Sequence, residues 1–203
     1  MAIIDKPSDY FNTKLYTGNG STQSFTGVGF QPDLIWVKSR SNTEPHIWTD
    51  VVRGANKNIR SNATSSEFTD ANNITSFDSD GFSVGTGGAV NENTYTFASW
   101  NWLAGGTASS NTDGSITSNV SANTTSGFSI VTYTGTGSSA TIGHGLNQEP
   151  ELTIIKDRDA SVNWIVYTKL IDGSLDYLFL NNTDAKGDSG FTGANSTVFN
   201  FTL

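Results

Sequence analysis

The sequence predicts an all-β protein built from tandem antiparallel β-sandwich modules of jelly-roll-like type. Composition, short apolar runs and an internal repeat carry this prediction. Thr, Ser, Asn and Gly, with 27, 25, 20 and 21 residues, make up close to half of the 203-residue chain. Ser and Asn compete with helical backbone hydrogen bonds, and Gly costs about 1 kcal/mol in a helix interior. No segment shows the apolar spacing i, i+3, i+4, i+7 that predicts an amphipathic helix.

Short runs of β-branched and aromatic residues recur between clusters of turn residues, and each has the length of a strand. The run at 95–102 alternates between two faces that both carry small and large side chains, so the sequence does not decide which face is buried. The expected strands are residues 34–37, 82–84, 95–102, 128–133, 152–155, 164–167, 177–180 and 198–201.

An internal repeat divides the chain. Residues 11–21 align with residues 128–138 at an offset of 117, and both copies contain the sequence Tyr-Thr-Gly-x-Gly. Residues 29–40 align with residues 145–158, where the offset rises to 118. The second copy stops at Leu203, short of roughly its last two strands: either the chain was cut there or the missing strands come from elsewhere, and the open sheet edge that this predicts should be covered.

The repeat defines four segments. Residues 1–10 form an N-terminal segment, residues 11–103 the first sandwich module, and residues 127–203 a second, incomplete module. Residues 104–126 are expected to be a Gly/Ser/Thr-rich linker, flexible over residues 104–114, with a short strand possible within 116–120.

The repeated motifs resemble those of a known protein family. In the first copy they are the sequences at 16–21, 27–40, 52–54, 77–82 and 98–106, and in the second those at 127–137, 143–146 and 163–167. They are similar to the repeat modules of virion structural proteins, of fibre or appendage type, from marine tailed phages. The resemblance covers nearly the whole chain and implies a virion location, other virion proteins as partners and no catalytic residues.

Charge and residue content exclude several classes of function. The formal charge of −8 and the pI near 4.5 argue against nucleic-acid binding, which requires clustered cations. No apolar run reaches the roughly 18 residues of a membrane span, and the N-terminus lacks the pattern of a signal peptide. The absence of cysteine excludes disulfides and thiolate chemistry.

An enzyme is not expected. The chain has two histidines, His46 and His144, and both are interpreted as exposed or turn residues rather than general bases. Glu149 and Glu151 flank Pro150 and could share a face, but the Glu-x-Asp-x-x-Glu strand of sandwich-type glucanases is absent.

Two weaker hypotheses concern ligands. Asp78 and Asp80, like the acidic groups within 157–159 and 184–188, could offer oxygen ligands to calcium, although Asp is also favoured in turns for backbone reasons. No other cofactor is expected. Trp48, Trp100 and Trp102 are candidates for stacking on a glycan, although core packing is favoured for the tryptophans as a set.

The predicted function is therefore that of a phage virion structural protein, in a tail fibre or appendage, with host-surface contact possible. Self-association is expected because of the incomplete module. The alternatives are a capsid-surface decoration protein and a carbohydrate-binding receptor protein that contacts a host-surface glycan.

Overall fold

A computed structural model describes residues 4–189 and 192–201 of the protein. These residues form an almost purely β structure, so the predicted all-β class is confirmed. The first module begins with a 3₁₀ turn at Pro7–Asp9. Its further elements are β1 (Phe11–Thr17), β2 (Gln23–Phe25), β3 (Leu34–Ser39), β4 (Ile47–Asp50), β5 (Lys57–Arg60), β6 (Phe68–Thr69), β7 (Ile74–Asp78), β8 (Gly81–Val84), α1 (Gly88–Asn91) and β9 (Thr96–Trp102).

Two antiparallel sheets enclose the core of the first module. One has the strand order β1-β9-β3-β4-β5-β6 and the other the order β2-β8-β7. Phe97 of β9 lies fully buried in this core, so the face of residues 95–102 that carries Phe97 is the inward one. The other core residues come from both sheets and α1; they are Tyr16, Phe25, Ile35, Val37, Ile47, Ile74, Phe82, Val84 and Val90.

The remaining described strands belong to three further sheets. Their orders are β10-β11-β12, β13-β19-β18 and β14-β15-β16-β17. The strands are β10 (Ser109–Asn111), β11 (Ser118–Asn123), β12 (Phe128–Tyr133), β13 (Ala140–Gly143), β14 (Leu152–Ile155), β15 (Ile165–Thr168), β16 (Asp176–Phe179), β17 (Gly187–Asp188), β18 (Gly193–Ala194) and β19 (Val198–Phe201).

The strand pairing of the two modules follows the internal repeat. The order β14-β15-β16-β17 reproduces β3-β4-β5-β6, and the order β13-β19-β18 reproduces β2-β8-β7. The register is also kept, since Val37 pairs with Ile47 and Ile155 pairs with Ile165. Among the described residues, the second module shows no counterpart of α1 or β9. These two elements are one helix and one strand, whereas the repeat predicted that two strands would be lacking.

The segment 104–126 differs from the flexible linker that its composition predicts. It contributes β10 and β11, and β11 pairs with β12 along its whole length. Its start is held by the buried Asp33, whose Oδ2 accepts hydrogen bonds from the N–H groups of Ala104 (2.8 Å) and Gly106 (3.0 Å). Of these strands, β11 overlaps the short strand considered within 116–120, whereas β10 lies in the polar part of the segment, where composition gives little strand signal.

Helices have little part in the fold. The 3₁₀ turn and α1 are three and four residues long. Within the described residues, neither has the length that a membrane-spanning helix requires.

Candidate functional site

The second module has an open sheet edge at β14. In the first module β3 pairs with β9 on one side and β4 on the other, whereas β14 pairs only with β15 among the described strands. Leu34 of β3 pairs with Trp102 of β9 and is 2% exposed. Its counterpart, Leu152 of β14, is 54% exposed. Among the described residues, this edge therefore presents unpaired backbone groups and an exposed apolar side chain.

Beside this edge an apolar groove opens between the sheet of β14 and β15 and the sheet of β18 and β19. Its volume, including the space open to solvent, is about 460 Å³. The first module fills the corresponding region with Phe97 and Val90. The groove is lined mainly by Pro150, Ile155, Tyr167, Leu175, Phe199 and Phe201.

Tyr133 shows the same difference between the modules. Its counterpart Tyr16 is 9% exposed, stacks on Phe97 at 5.2 Å between ring centroids, and donates a hydrogen bond from Oη to the carbonyl of Val90 at 2.7 Å. Tyr133 is 37% exposed and stacks on Phe201 at 6.1 Å. Burial raises the pKa of both phenols, so both are neutral at pH 7.

The tryptophans form a continuous row across the outer face of the six-stranded sheet. Trp36 lies 5.6 Å from Trp100 and 5.3 Å from Trp48, and Trp48 lies 5.2 Å from Trp164 of the second module. The cross-strand register of β3 with β4 and β9 places the first three side by side. Trp164 occupies the structural position of His46. The backbone N–H of Trp164 donates to the side chain of Asn181, and the backbone N–H of His46 donates to the side chain of Asn62 in the same way.

Two of the candidate tryptophans, Trp48 and Trp102, lie where the two modules meet. Trp48, Trp100 and Trp102 are half-buried, and Trp102 packs against Phe128 of the second module at 6.2 Å. The indole N–H of Trp164 donates to the carbonyl of Arg60 at 3.0 Å. Glycan stacking at these residues stays a prediction, and the contacts that the structure shows for Trp48 and Trp102 join one module to the other.

Beside the tryptophan row, a network of ion pairs joins the modules. The Arg158 guanidinium donates from Nε and Nη2 to the two oxygens of Glu67, each at 2.9 Å. Glu67 also accepts from the buried Arg53, whose Nε contacts Asp50 at 2.6 Å. Burial by itself would raise the pKa of Glu67, but the bonds from Arg158 and Arg53 outweigh it and lower that pKa. Sequence reasoning missed this network because residues 67 and 158 lie on different modules.

Asp78 and Asp80, the candidate calcium ligands, are engaged in local turn structure. Asp78 accepts hydrogen bonds from Ser76 (2.8 Å) and Ser83 (2.7 Å). Asp80 accepts from the N–H groups of Gly27 (2.9 Å) and Gly29 (2.7 Å), both of which have positive φ, and these two bonds lower its pKa. The Asp80 carboxylate thus shapes the loop that leads to β3, and the Asp78 carboxylate joins β7 to β8.

A different acidic cluster forms around Lys186. Asp172, Asp176 and Asp188 bring carboxylate oxygens within 4.8 Å of one another. The Lys186 ammonium contacts them at 2.6, 2.6 and 3.2 Å, which holds the pKa of Asp172 well below its usual range and raises that of Lys186. Of these acids the sequence singled out only Asp188, and here a lysine takes the place that a cation would take.

The histidines and glutamates considered for catalysis have structural contacts. His144 is fully buried, which corrects its interpretation as an exposed residue. Its Nδ1 accepts from the N–H of Leu146 and its Nε2 lies 3.1 Å from the carbonyl of Asn195, so backbone groups engage both ring nitrogens of a neutral ring. Burial lowers its pKa. Glu149 lines the groove and pairs with Lys169 at 2.5 Å.

Comparison with known proteins identifies a family. Residues 6–203 match a family profile described as a domain of unknown function, DUF7483. No curated protein matches the chain, and no solved structure matches it. Because the match spans nearly the whole chain, the protein with the duplicated sandwich and the open β14 edge belongs to the DUF7483 family.

Proposed function

We propose that this protein is a non-enzymatic structural component of a phage virion, in a tail fibre or appendage. Its partners are other virion proteins and further copies of the chain. The observation that carries the proposal is the repeated strand plan, in which β13-β19-β18 and β14-β15-β16-β17 reproduce strand orders of the first module, since repeated modules are typical of extended scaffolds.

Two further features support a structural role. Two of the side chains considered for catalysis are engaged: backbone groups contact both ring nitrogens of His144, and Glu149 pairs with Lys169. The modules are joined by stacked indoles and a two-bond Arg158–Glu67 pair, which stiffen a repeated scaffold. The resemblance of the repeat motifs to fibre-like virion proteins gives this scaffold its proposed location.

Mass spectrometry of gradient-purified particles tests the proposal, with immunogold labelling of the same particles by an antibody to this protein. We expect its peptides to co-purify with intact particles and gold to lie on tails or appendages. Gold over the capsid lattice would favour the alternative of a decoration protein. Recovery of the protein only from the soluble fraction of infected cells would refute a virion role.

A receptor role is the second alternative, and the half-buried indoles Trp48, Trp100 and Trp102 are its candidate contacts. Glycan-array binding by the purified protein, lost on Trp100→Ala, would support it. Since Trp48 and Trp102 pack against the second module, we expect no binding above background.

A further inference from the structure

We infer that the junction of the two modules is an acid-released clasp: uptake of a proton by Glu67 frees Arg158, and the second module then swings about residues 104–106 while both modules stay folded. The inference concerns a motion of the scaffold and does not depend on the proposed virion role. It rests on how unequally the two arginines that share Glu67 are held.

The clasp is the carboxylate of Glu67, which holds one arginine from each module. Arg53 Nη1 and Arg158 Nε both donate to the same oxygen, Oε2, at 3.1 and 2.9 Å. Arg158 Nη2 donates to Oε1 at 2.9 Å. The other charged groups that face this cluster are Asp50, which pairs with Arg53, and Asp159, which follows Arg158. While Glu67 is ionised, its negative charge keeps two guanidinium groups of like charge in contact with one atom.

Burial decides which arginine leaves when Glu67 is protonated. The Arg53 side chain is 3% exposed and keeps three further acceptors, a carboxylate oxygen of Asp50 and two backbone carbonyl oxygens. The Arg158 side chain is 41% exposed and, among the described residues, forms hydrogen bonds only with Glu67. Repulsion between the two guanidinium groups therefore moves Arg158 into water, which breaks the contact at the module boundary and not inside the first module.

The pH range of this release follows from the pKa of Glu67. Burial alone would raise that pKa, but the bonds from Arg158 and Arg53 hold it below its ordinary value of 4.5. The clasp is therefore complete above pH 4.5 and is lost as the pH falls through the folded-state pKa. The contacts that remain beside it are uncharged, namely the ring pair of Trp48 and Trp164 and a backbone bond from the Glu67 N–H to the Arg158 carbonyl. They oppose the swing equally at every pH.

The anchor at the start of the connecting segment responds to acid in the opposite sense. Buried Asp33 accepts hydrogen bonds from the N–H groups of Ala104 and Gly106, and burial raises its pKa despite these bonds. A carboxyl whose pKa is raised in the closed position takes up its proton more readily there than in water, so a lower pH favours the closed position. Residues 104–106 thus stay attached while Glu67 releases Arg158, and the motion is a rotation at a hinge.

Distance measurements on the intact protein test the clasp. The chain has no cysteine, so Thr64→Cys and Ser161→Cys, at two exposed positions that flank the clasp in different modules, can carry spin labels. We expect one narrow distance at pH 7. At pH 3 we expect the fraction of molecules at that distance to fall by at least about half as longer distances appear. Circular dichroism should report the same β content at both pH values.

Two variants and one control separate the clasp from general effects of acid. Glu67→Gln is an uncharged mimic of the protonated side chain and should show the longer distances already at pH 7. Arg158→Gln removes the same bonds from the other side and should do so as well. Glu149→Gln is the matched control, because its ion pair with Lys169 lies within the second module, and it should respond to pH as the labelled parent does.

An unchanged distance distribution down to pH 3, or retention of the narrow distance by either clasp variant at pH 7, would overturn the inference. Loss of β content in the same transition as the narrow distance would also overturn it, because the motion would then be unfolding. None of these results bears on whether the protein co-purifies with particles, so failure of the clasp and failure of the virion role are separable.

Discussion

The two modules share one strand plan and differ in how well their cores are closed. In the first, β9 lies between β1 and β3 and buries Leu34 and Tyr16; in the second, the equivalent positions Leu152 and Tyr133 are exposed. Sequence similarity is high at these positions, so the difference comes from the neighbour and not from the residue. The exposure of such a position is thus set by the strand beside it as well as by its own side chain.

The largest expected effect tests that comparison directly. Leu34→Ala should lower the free energy of unfolding by about 2–5 kcal/mol, because it leaves a cavity at a site closed on both sides. The matched change Leu152→Ala should cost no more than about 0.5 kcal/mol, since its side chain is already in solvent. Urea denaturation of both variants measures the two values. Equal losses would show that the β14 edge is covered in solution.

A smaller effect is expected at the junction of the modules. Glu67→Gln should cost about 1–3 kcal/mol, because it weakens charge-assisted bonds from Arg158 and Arg53. Since the folded-state pKa of Glu67 lies below its ordinary value of 4.5, its contribution is complete above that pH and is lost as the pH falls through the folded-state pKa. Urea denaturation between pH 7 and pH 3 should therefore show a steeper loss for the natural protein than for the variant.

The exposed pair of Lys6 and Asp9 provides the control for that experiment. Asp9→Asn should change the free energy of unfolding by less than about 1 kcal/mol, because both side chains lie in solvent. A Glu67→Gln loss no greater than this would mean that the ion-pair network does not hold the modules together.

Replacing one indole tests the tryptophan row. Trp164→Phe should cost about 1 kcal/mol through loss of its hydrogen bond to the carbonyl of Arg60, in addition to the smaller ring. Trp36→Phe is the matched control, because the buried Nε1 of Trp36 has no hydrogen-bond partner among the described residues. Thermal denaturation should rank Trp164→Phe as the more destabilised. The reverse ranking would contradict the role given to the Arg60 contact.

The smallest effect is expected from calcium. Asp78 and Asp80 already accept hydrogen bonds from serines and glycine amides, so neither calcium nor a chelator should shift the melting temperature. Differential scanning calorimetry of the natural protein with calcium and with chelator measures this. A melting temperature that rises with calcium in the natural protein but not in the Asp80→Asn variant would restore the metal hypothesis.

Some parts of the site could be predicted and others could not. The repeat predicted which strands of the two modules are equivalent, because equivalent sequences form equivalent strands. The alternation of residues 95–102 did not reveal that Phe97 faces inward, since Trp100 and Trp102 on the other face are just as apolar. The cluster of Asp172, Asp176 and Asp188 could not be found from a spacing motif in the sequence. The turn before β16 and the strands β16 and β17 bring its three carboxylates together around Lys186.

The sequence by itself determined the all-β class, the duplication and the location of most strands, because strand propensity, turn residues and repeated motifs act over a few residues at a time. The tertiary structure decided which faces are buried, that the indoles of Trp48 and Trp164 meet, and that Glu67 pairs with Arg158. Those contacts join residues about a hundred positions apart, and only the packing of one module on the other brings them within bonding distance.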